Sequence, residues 1–164
     1  LILLNEGLDV DLGSRKHAAR NDIVAQLLVN VVGNSAGYRV HLNVACLAVE
    51  VIAKWVCSVC EGALLLARAG LLDGHKATTH WAFVDCLRRF PAIEVAKGHP
   101  RFVESGNRLT GGGISSGLDE ALHLISRLFD DQTAVEVQIT TQYFPVPPVA
   151  GRIPSEMPTC MVQW

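Results

Sequence analysis

The apolar positions of this chain fall into short runs separated by small or polar turn residues, and the spacing inside each run predicts its element. Leu1 to Leu4 is a brief apolar run closed by Asn5-Glu6-Gly7, the pattern of a buried first strand and its turn. Residues 13–22 are polar and basic, without periodicity, and read as a loop or a frayed helix. Ile23 to Val32 is rich in β-branched residues and runs into the small-residue loop Gly33 to Gly37, so it reads as a strand. Leu42 to Lys54 predicts an apolar helix, and Trp55 to Val59 a short strand. From Ala63 to Ala69 the run turns to helix-forming Leu and Ala and stops at Gly70, a glycine at C-cap spacing, with a turn to Gly74.

The second half continues the alternation. Lys76 to Thr79 predicts a strand, Ala82 to Phe90 a helix, and Ile93 to Ala96 and Arg101 to Glu104 two brief strands. Leu109 to Gly113 reads as a glycine-rich turn. Ile114 to Phe129 then predicts a helix, with Leu118, Leu122, Ile125 and Phe129 as its apolar stripe and Asp119 and Glu120 favouring its first turn. A last helix over Asp131 to Tyr143, with Ala134, Val137 and Ile139 inward, is ended by the prolines of residues 144–148, and the tail to Trp164 is irregular. Strands alternating with helices predict an α/β layer with a mostly parallel sheet.

One junction in this pattern carries chemistry. Cys60 lies where the strand at Trp55 to Val59 turns through Glu61 and Gly62 into a helix, so its side chain is expected at the tip of a tight bend with a helix N-terminus aimed at it. That setting favours a thiolate and a cysteine nucleophile, while the carboxylate of Glu61 opposes it. His80 and Trp81 stand at another strand-to-helix junction. They read equally as residues on the rim of the same site and as a structural histidine with a core tryptophan. Gly111, Gly112 and Gly113 fit neither a dinucleotide fingerprint nor a phosphate-binding loop, and predict a wall of the site where backbone passes close to another element. Asp9 and Asp11, just past the first strand, lie on the rim where α/β sites form, although alone they read as turn or capping residues.

Composition narrows the setting. The 164 residues, 49% hydrophobic, are enough for one domain with a buried core. A formal charge of -2 gives no electrostatic footprint for nucleic acid or an anionic membrane, and the apolar runs are broken by charge before reaching spanning length. The five cysteines, Cys46, Cys57, Cys60, Cys86 and Cys160, are odd in number and lie mostly in apolar runs, which predicts reduced thiols in a cytoplasmic protein. Cys57 and Cys60 form a C-x-x-C, but Cys57 falls inside the strand rather than in the turn, and no second pair completes a zinc site. This spacing points to no metal site.

Five motifs occur in order: Ser58 to Ala63 (SVCEGA), Ala69 to Gly74 (AGLLDG), Ala77 to Ala82 (ATTHWA), Leu109 to Asp119 (LTGGGISSGLD) and Gln142 to Pro148 (QYFPVPP). Together they resemble the PfpI branch of the class I glutamine amidotransferase-like superfamily, and within it the isocyanide hydratases and their relatives, over about residues 54–148. The resemblance implies a flavodoxin-like three-layer sandwich whose N-terminal part is incomplete, a single domain over 1–164, and a homodimer acting on a small molecule. It implies Cys60 as nucleophile and Asp11 as the acid/base partner in hydrating an isocyanide to an N-substituted formamide. Backbone N–H groups near Glu61 and Gly62, and around Gly33, would stabilise developing charge, and His80, Trp81, Gly112 and Gly113 would line the pocket. The same domain occurs fused to DNA-binding helices in AraC-type regulators, so a ligand-sensing or dimerisation module is the alternative the resemblance implies.

Overall fold

The computed structural model describes residues 2–5 and 53–162. In chain order these form β1 (Ile2–Asn5), β2 (Ala53–Val59), α1 (Gly62–Arg68), β3 (Lys76–Ala77), a 3-10 turn (Trp81–Phe83), α2 (Val84–Leu87), β4 (Glu94–Val95), β5 (Phe102–Ser105), β6 (Arg108–Gly111), α3 (Ser116–Leu128) and α4 (Asp131–Thr140). The main sheet has the order β1-β2-β6-β5. Its central pair is parallel, with Val56 beside Arg108 and Val59 beside Gly111. β1 runs antiparallel to β2, and β5 and β6 form an antiparallel hairpin. β3 and β4 make a second, parallel pair.

Alternation along β2 divides the core into two layers, because successive side chains point to opposite faces of a strand. Val56 belongs to the cluster with Ala63, Leu64, Leu66, Leu71, Leu72 and Leu87, the α1 side. Cys57 belongs to the other, with Leu109 and Leu124 and the flanking Trp55, Phe102 and Leu128, the α3 side. Helix, sheet and helix thus stack as the α/β, flavodoxin-like sandwich expected. Glu104 on β5 ties α3 down at its edge, 2.5 Å from His123 Nε2 and 2.6 Å from an Arg127 nitrogen.

Several elements depart from expectation for reasons that can be named. Ala53 and Lys54, expected to end a helix, belong to β2; the rest of that expected helix, the strand at residues 23–32 and the loop at 33–37 lie outside the described residues. Leu109 to Gly111, expected in a turn, are in β6, a strand buried along its whole length. Two of its polar side chains are satisfied internally: Thr110 Oγ1 accepts the Thr78 N–H at 2.9 Å, and Arg108 Nε donates to the Leu71 carbonyl at 2.6 Å. The helix expected over Ala82 to Phe90 is instead a 3-10 turn and four residues of α2, with Pro91 next after Phe90.

On α3 the buried row is Ser116, Glu120 and Leu124, at spacings of four. Of the apolar stripe expected there, Leu122 and Ile125 are half-buried, while its two ends turn to solvent, Leu118 52% and Phe129 60% exposed. Gly117, beside that row, lets α3 come close to the sheet: a Cβ built on it would stand only 3.2 Å from Val59 Cγ2. In α4, Ala134 and Val137 are half-buried, whereas Ile139, expected inward, is 60% exposed.

The cysteines also correct an expectation. Cys86 on α2 and Cys160 in the C-terminal segment form a disulfide, with Cα atoms 4.8 Å apart. Asp85 Oδ2 accepts the Cys160 N–H at 3.0 Å and Arg89 donates to the Cys160 carbonyl at 2.8 Å. The irregular tail therefore has one buried anchor, Cys160, at 7% exposure. Sequence separation hid this pairing, since proximity between residues 74 positions apart is a tertiary fact.

Candidate active site

Cys60 occupies the turn between β2 and α1 in the left-handed region, at φ 59°. For a residue with a Cβ this conformation costs roughly 1–2 kcal/mol, and it persists only where the surroundings hold it. Here they hold both ends of the residue. The Cys60 N–H donates to the Gly111 carbonyl at 3.1 Å, and the Thr79 hydroxyl donates to the Cys60 carbonyl at 2.9 Å. The Ala63 N–H reaches the same carbonyl at 3.4 Å, beginning the helix. Gly62 lets the turn close, because a Cβ there would lie 3.3 Å from Ser58 Cβ. The strand-turn-helix elbow expected at Cys60 is present.

Its electrostatics carry the opposition expected from Glu61, with burial added to it. Desolvation pushes the Cys60 thiol pKa up from its ordinary value; the Glu61 backbone N–H opposes this, and the Glu61 carboxylate reinforces it by charge and by accepting the thiol proton. The Sγ-to-Oε2 distance is 3.6 Å. Glu61 therefore faces the sulfur, and the helix start does not by itself yield a thiolate. The other thiol of the C-x-x-C is inert: burial, then the nearby Glu120 carboxyl, push Cys57 up to about 12. Cys57 and Cys60 are not bonded to each other.

His80 caps the 3-10 turn, its Nδ1 accepting the Ala82 N–H at 3.2 Å. A neutral ring held this way carries its proton on Nε2, which makes it a donor towards its surroundings. The ring packs against Trp81 and Phe83, with centroids 5.5 and 6.0 Å away. A Cβ on Gly113 would meet His80 Cδ2 at 3.5 Å, and the Gly112 N–H donates to the Arg101 carbonyl at 2.8 Å. The end of β6 and the glycines after it thus join the elbow, through Gly111, to the histidine, through Gly113. Asp11 and Gly33 lie outside the described residues.

Thr79 and Glu120 are residues of this neighbourhood that sequence reasoning passed over. Thr79, only 2% exposed, was legible merely as the end of a strand. Glu120 reads from the sequence as a first-turn residue, yet it is 5% exposed, and among the described residues neither carboxylate oxygen has a hydrogen-bond partner. Burial, with a smaller contribution from Asp119, raises its pKa to about 8. Among the described residues no group of three or more His, Cys, Asp and Glu side chains could hold a metal ion. A separate cleft of about 550 Å³, lined by Trp55, Glu104, Arg127, Asp130 and Asp131 among others, contains none of the residues around Cys60. No helix among the described residues is long and apolar enough to cross a membrane.

Known proteins are similar to this chain. An isonitrile hydratase of Pseudomonas putida is 46% identical over 110 residues, 67% of this chain and 47% of that protein. The HTH-type transcriptional regulator CdhR of Pseudomonas aeruginosa is 38% identical over 77 residues, 46% of this chain and 22% of the regulator. A THiJ/PfpI family protein from Pseudomonas syringae, known by crystal structure, matches with a TM-score of 0.60 and 37% identity, covering 70% of this chain and 45% of its own. This chain thus spans about half the length, or less, of these relatives. The sequence model of the DJ-1/PfpI family matches residues 43–127, more than half of the chain. That span takes in β2, the Cys60 elbow, Thr79, His80, the glycines after β6 and nearly all of α3, and the chain belongs to the DJ-1/PfpI family.

Proposed function

We propose that this protein is a cysteine-dependent lyase that hydrates an isocyanide to an N-substituted formamide, with Cys60 as nucleophile and Asp11 as acid/base. The observation that carries the reading is the pinned left-handed conformation of Cys60 at the strand-to-helix turn, in a chain 46% identical over 110 residues to an isonitrile hydratase. The chemistry asks for a soft nucleophile and little else. Cys60 sulfur adds to the terminal isocyanide carbon while that carbon gains a proton, giving a thioimidate. Water then adds to the same carbon, the C–S bond breaks, and the thiol is restored as the formamide leaves. Because the thiol pKa is raised, its proton has to go to a base as the sulfur attacks, and this is the role assigned to Asp11. Backbone N–H groups at Glu61 and Gly62 would meet charge developing on the substrate, with Gly33 as a further contributor. His80, Trp81, Gly112 and Gly113 would form the wall of the pocket. In this reading the 164 residues act as one domain, without cofactor or metal, in the cytoplasm and as a homodimer. The exposed Leu118 on α3, Phe129 just after it, and Val135 and Ile139 on α4 are apolar surface available to a second copy.

A second reading, a ligand-sensing or dimerisation module, is favoured by the similarity to CdhR and by the raised thiol pKa. Isocyanide turnover by the full chain, Cys60→Ala and Asp11→Asn separates the two. Hydration by the parent protein that is lost in Cys60→Ala and strongly reduced in Asp11→Asn supports the lyase. Equal rates in all three proteins, or none in the parent, support the module.

A further inference from the structure

We infer that Thr79 is a positioning residue for the Cys60 nucleophile: its hydroxyl, with the Gly111 carbonyl, clamps the Cys60 residue at both ends and so fixes where the sulfur stands. The inference rests on the reading of Cys60 as nucleophile. A cysteine at φ 59° has no intrinsic reason to stay there, and relaxing φ would swing Sγ off the tip of the turn. Among the described residues, two hydrogen bonds reach Cys60 from outside its own strand and helix. One comes from β6, where Gly111 accepts the Cys60 N–H at 3.1 Å. The other comes from the segment after β3, where Thr79 Oγ1 donates to the Cys60 carbonyl at 2.9 Å.

The backbone route to Thr79 is itself fixed. The neighbouring Thr78 N–H donates to Thr110 Oγ1 at 2.9 Å, so the end of β3 is tied to the strand that supplies Gly111. Thr79 is 2% exposed, out of a substrate's reach, and it acts through Cys60 rather than on the reacting atoms. The residue after it, His80, packs beside Gly113, so the clamp also sets the elbow relative to the imidazole. The Glu61 backbone N–H is the group that favours the thiolate, and its aim at Sγ depends on the same turn geometry.

The test uses the full chain with Thr79→Val, which keeps the shape and removes the hydroxyl, and Thr79→Ser, which keeps the hydroxyl. Iodoacetamide alkylation of Cys60 is followed by peptide mass spectrometry from pH 6 to 10, beside isocyanide turnover and the melting temperature. The expected result is a fall of roughly fivefold or more in the Cys60 alkylation rate of Thr79→Val, about one hydrogen bond's worth. Its pH profile should move to higher pH, and Thr79→Ser should return within about twofold of the parent. An unchanged rate and profile in Thr79→Val overturns the inference, as does a Thr79→Ser variant as slow as Thr79→Val. A lowered melting temperature with an unmoved profile marks a structural threonine and overturns it too. Alkylation reads the clamp whether or not isocyanide is turned over, so slow alkylation of Thr79→Val alongside an inactive parent removes the lyase reading and leaves the positioning role standing.

Discussion

The carboxyl group of Glu120 lies where a side chain on Gly111 would begin: a Cβ there would stand 1.9 Å from Oε2. Glycine at the end of β6 and a buried acid on α3 are therefore one packing unit beneath the elbow, since the Gly111 carbonyl is the acceptor for Cys60 N–H. Gly111→Ala is expected to destabilise the protein by about 2 kcal/mol or more, within the range for overpacking. Adding Glu120→Ala should recover part of that loss. Denaturant unfolding of the two single variants and the double variant measures the coupling, and strictly additive effects would contradict the contact.

Glu120 also makes stability depend on pH. Its folded pKa, about 8, lies above the ordinary value of 4.5, so the folded state holds the proton more tightly than the unfolded chain. The stabilisation is complete below about pH 4.5 and is lost as pH rises through 8. Relative to Glu120→Gln, which does not titrate, the parent is expected to lose on the order of 2–4 kcal/mol across that window. Urea midpoints at pH 5, 7 and 8.5 provide the comparison. Parallel profiles for the two proteins would show that Glu120 is not the group responsible.

Glu61 is expected to hold the nucleophile back. Its carboxylate raises the Cys60 pKa by charge and by accepting the thiol proton, so Glu61→Gln should move Cys60 alkylation to lower pH and raise its rate at neutral pH several-fold. A slower Glu61→Gln variant would instead identify the carboxylate as a base that assists the sulfur.

The disulfide between Cys86 and Cys160 closes a separation of 74 residues. Constraint of the unfolded chain by such a loop is worth about 2–4 kcal/mol. Reduction with dithiothreitol, or the pair Cys86→Ala and Cys160→Ala, should lower stability by that order and speed proteolysis between residues 144 and 160. Unchanged cleavage there would mean that Asp85 and Arg89 hold the tail unaided.

Much of this arrangement was legible because it is written locally. The apolar run from Trp55 to Val59, the small residue Gly62 and the helix formers after it specify a strand, a tight turn and a helix in adjacent positions, so Cys60 at the bend follows from nearest-neighbour preferences. Gly70 and Gly74 adopt positive φ where the sequence placed a helix end and a turn, for the same reason. The α/β alternation and the family resemblance likewise need only the order of motifs along the chain.

What only the tertiary structure decided depends on which distant residues meet. β6 is a strand because parallel pairing with β2 buries it, and burial overrides the turn preference of its glycine. The sheet chose the Ser116, Glu120 and Leu124 row of α3 over the more apolar stripe, because close packing beneath Val59 and Gly111 depends on side-chain shape as well as hydrophobicity. The charge state of Cys60 is set by desolvation and by the direction in which Glu61 turns, neither of which a linear sequence encodes at a single position. The sequence determined that a cysteine stands at an elbow; the fold determined that Gly111 and Thr79 hold it there and that Glu61 faces it, since strain, burial and charge are properties of neighbours brought together in space.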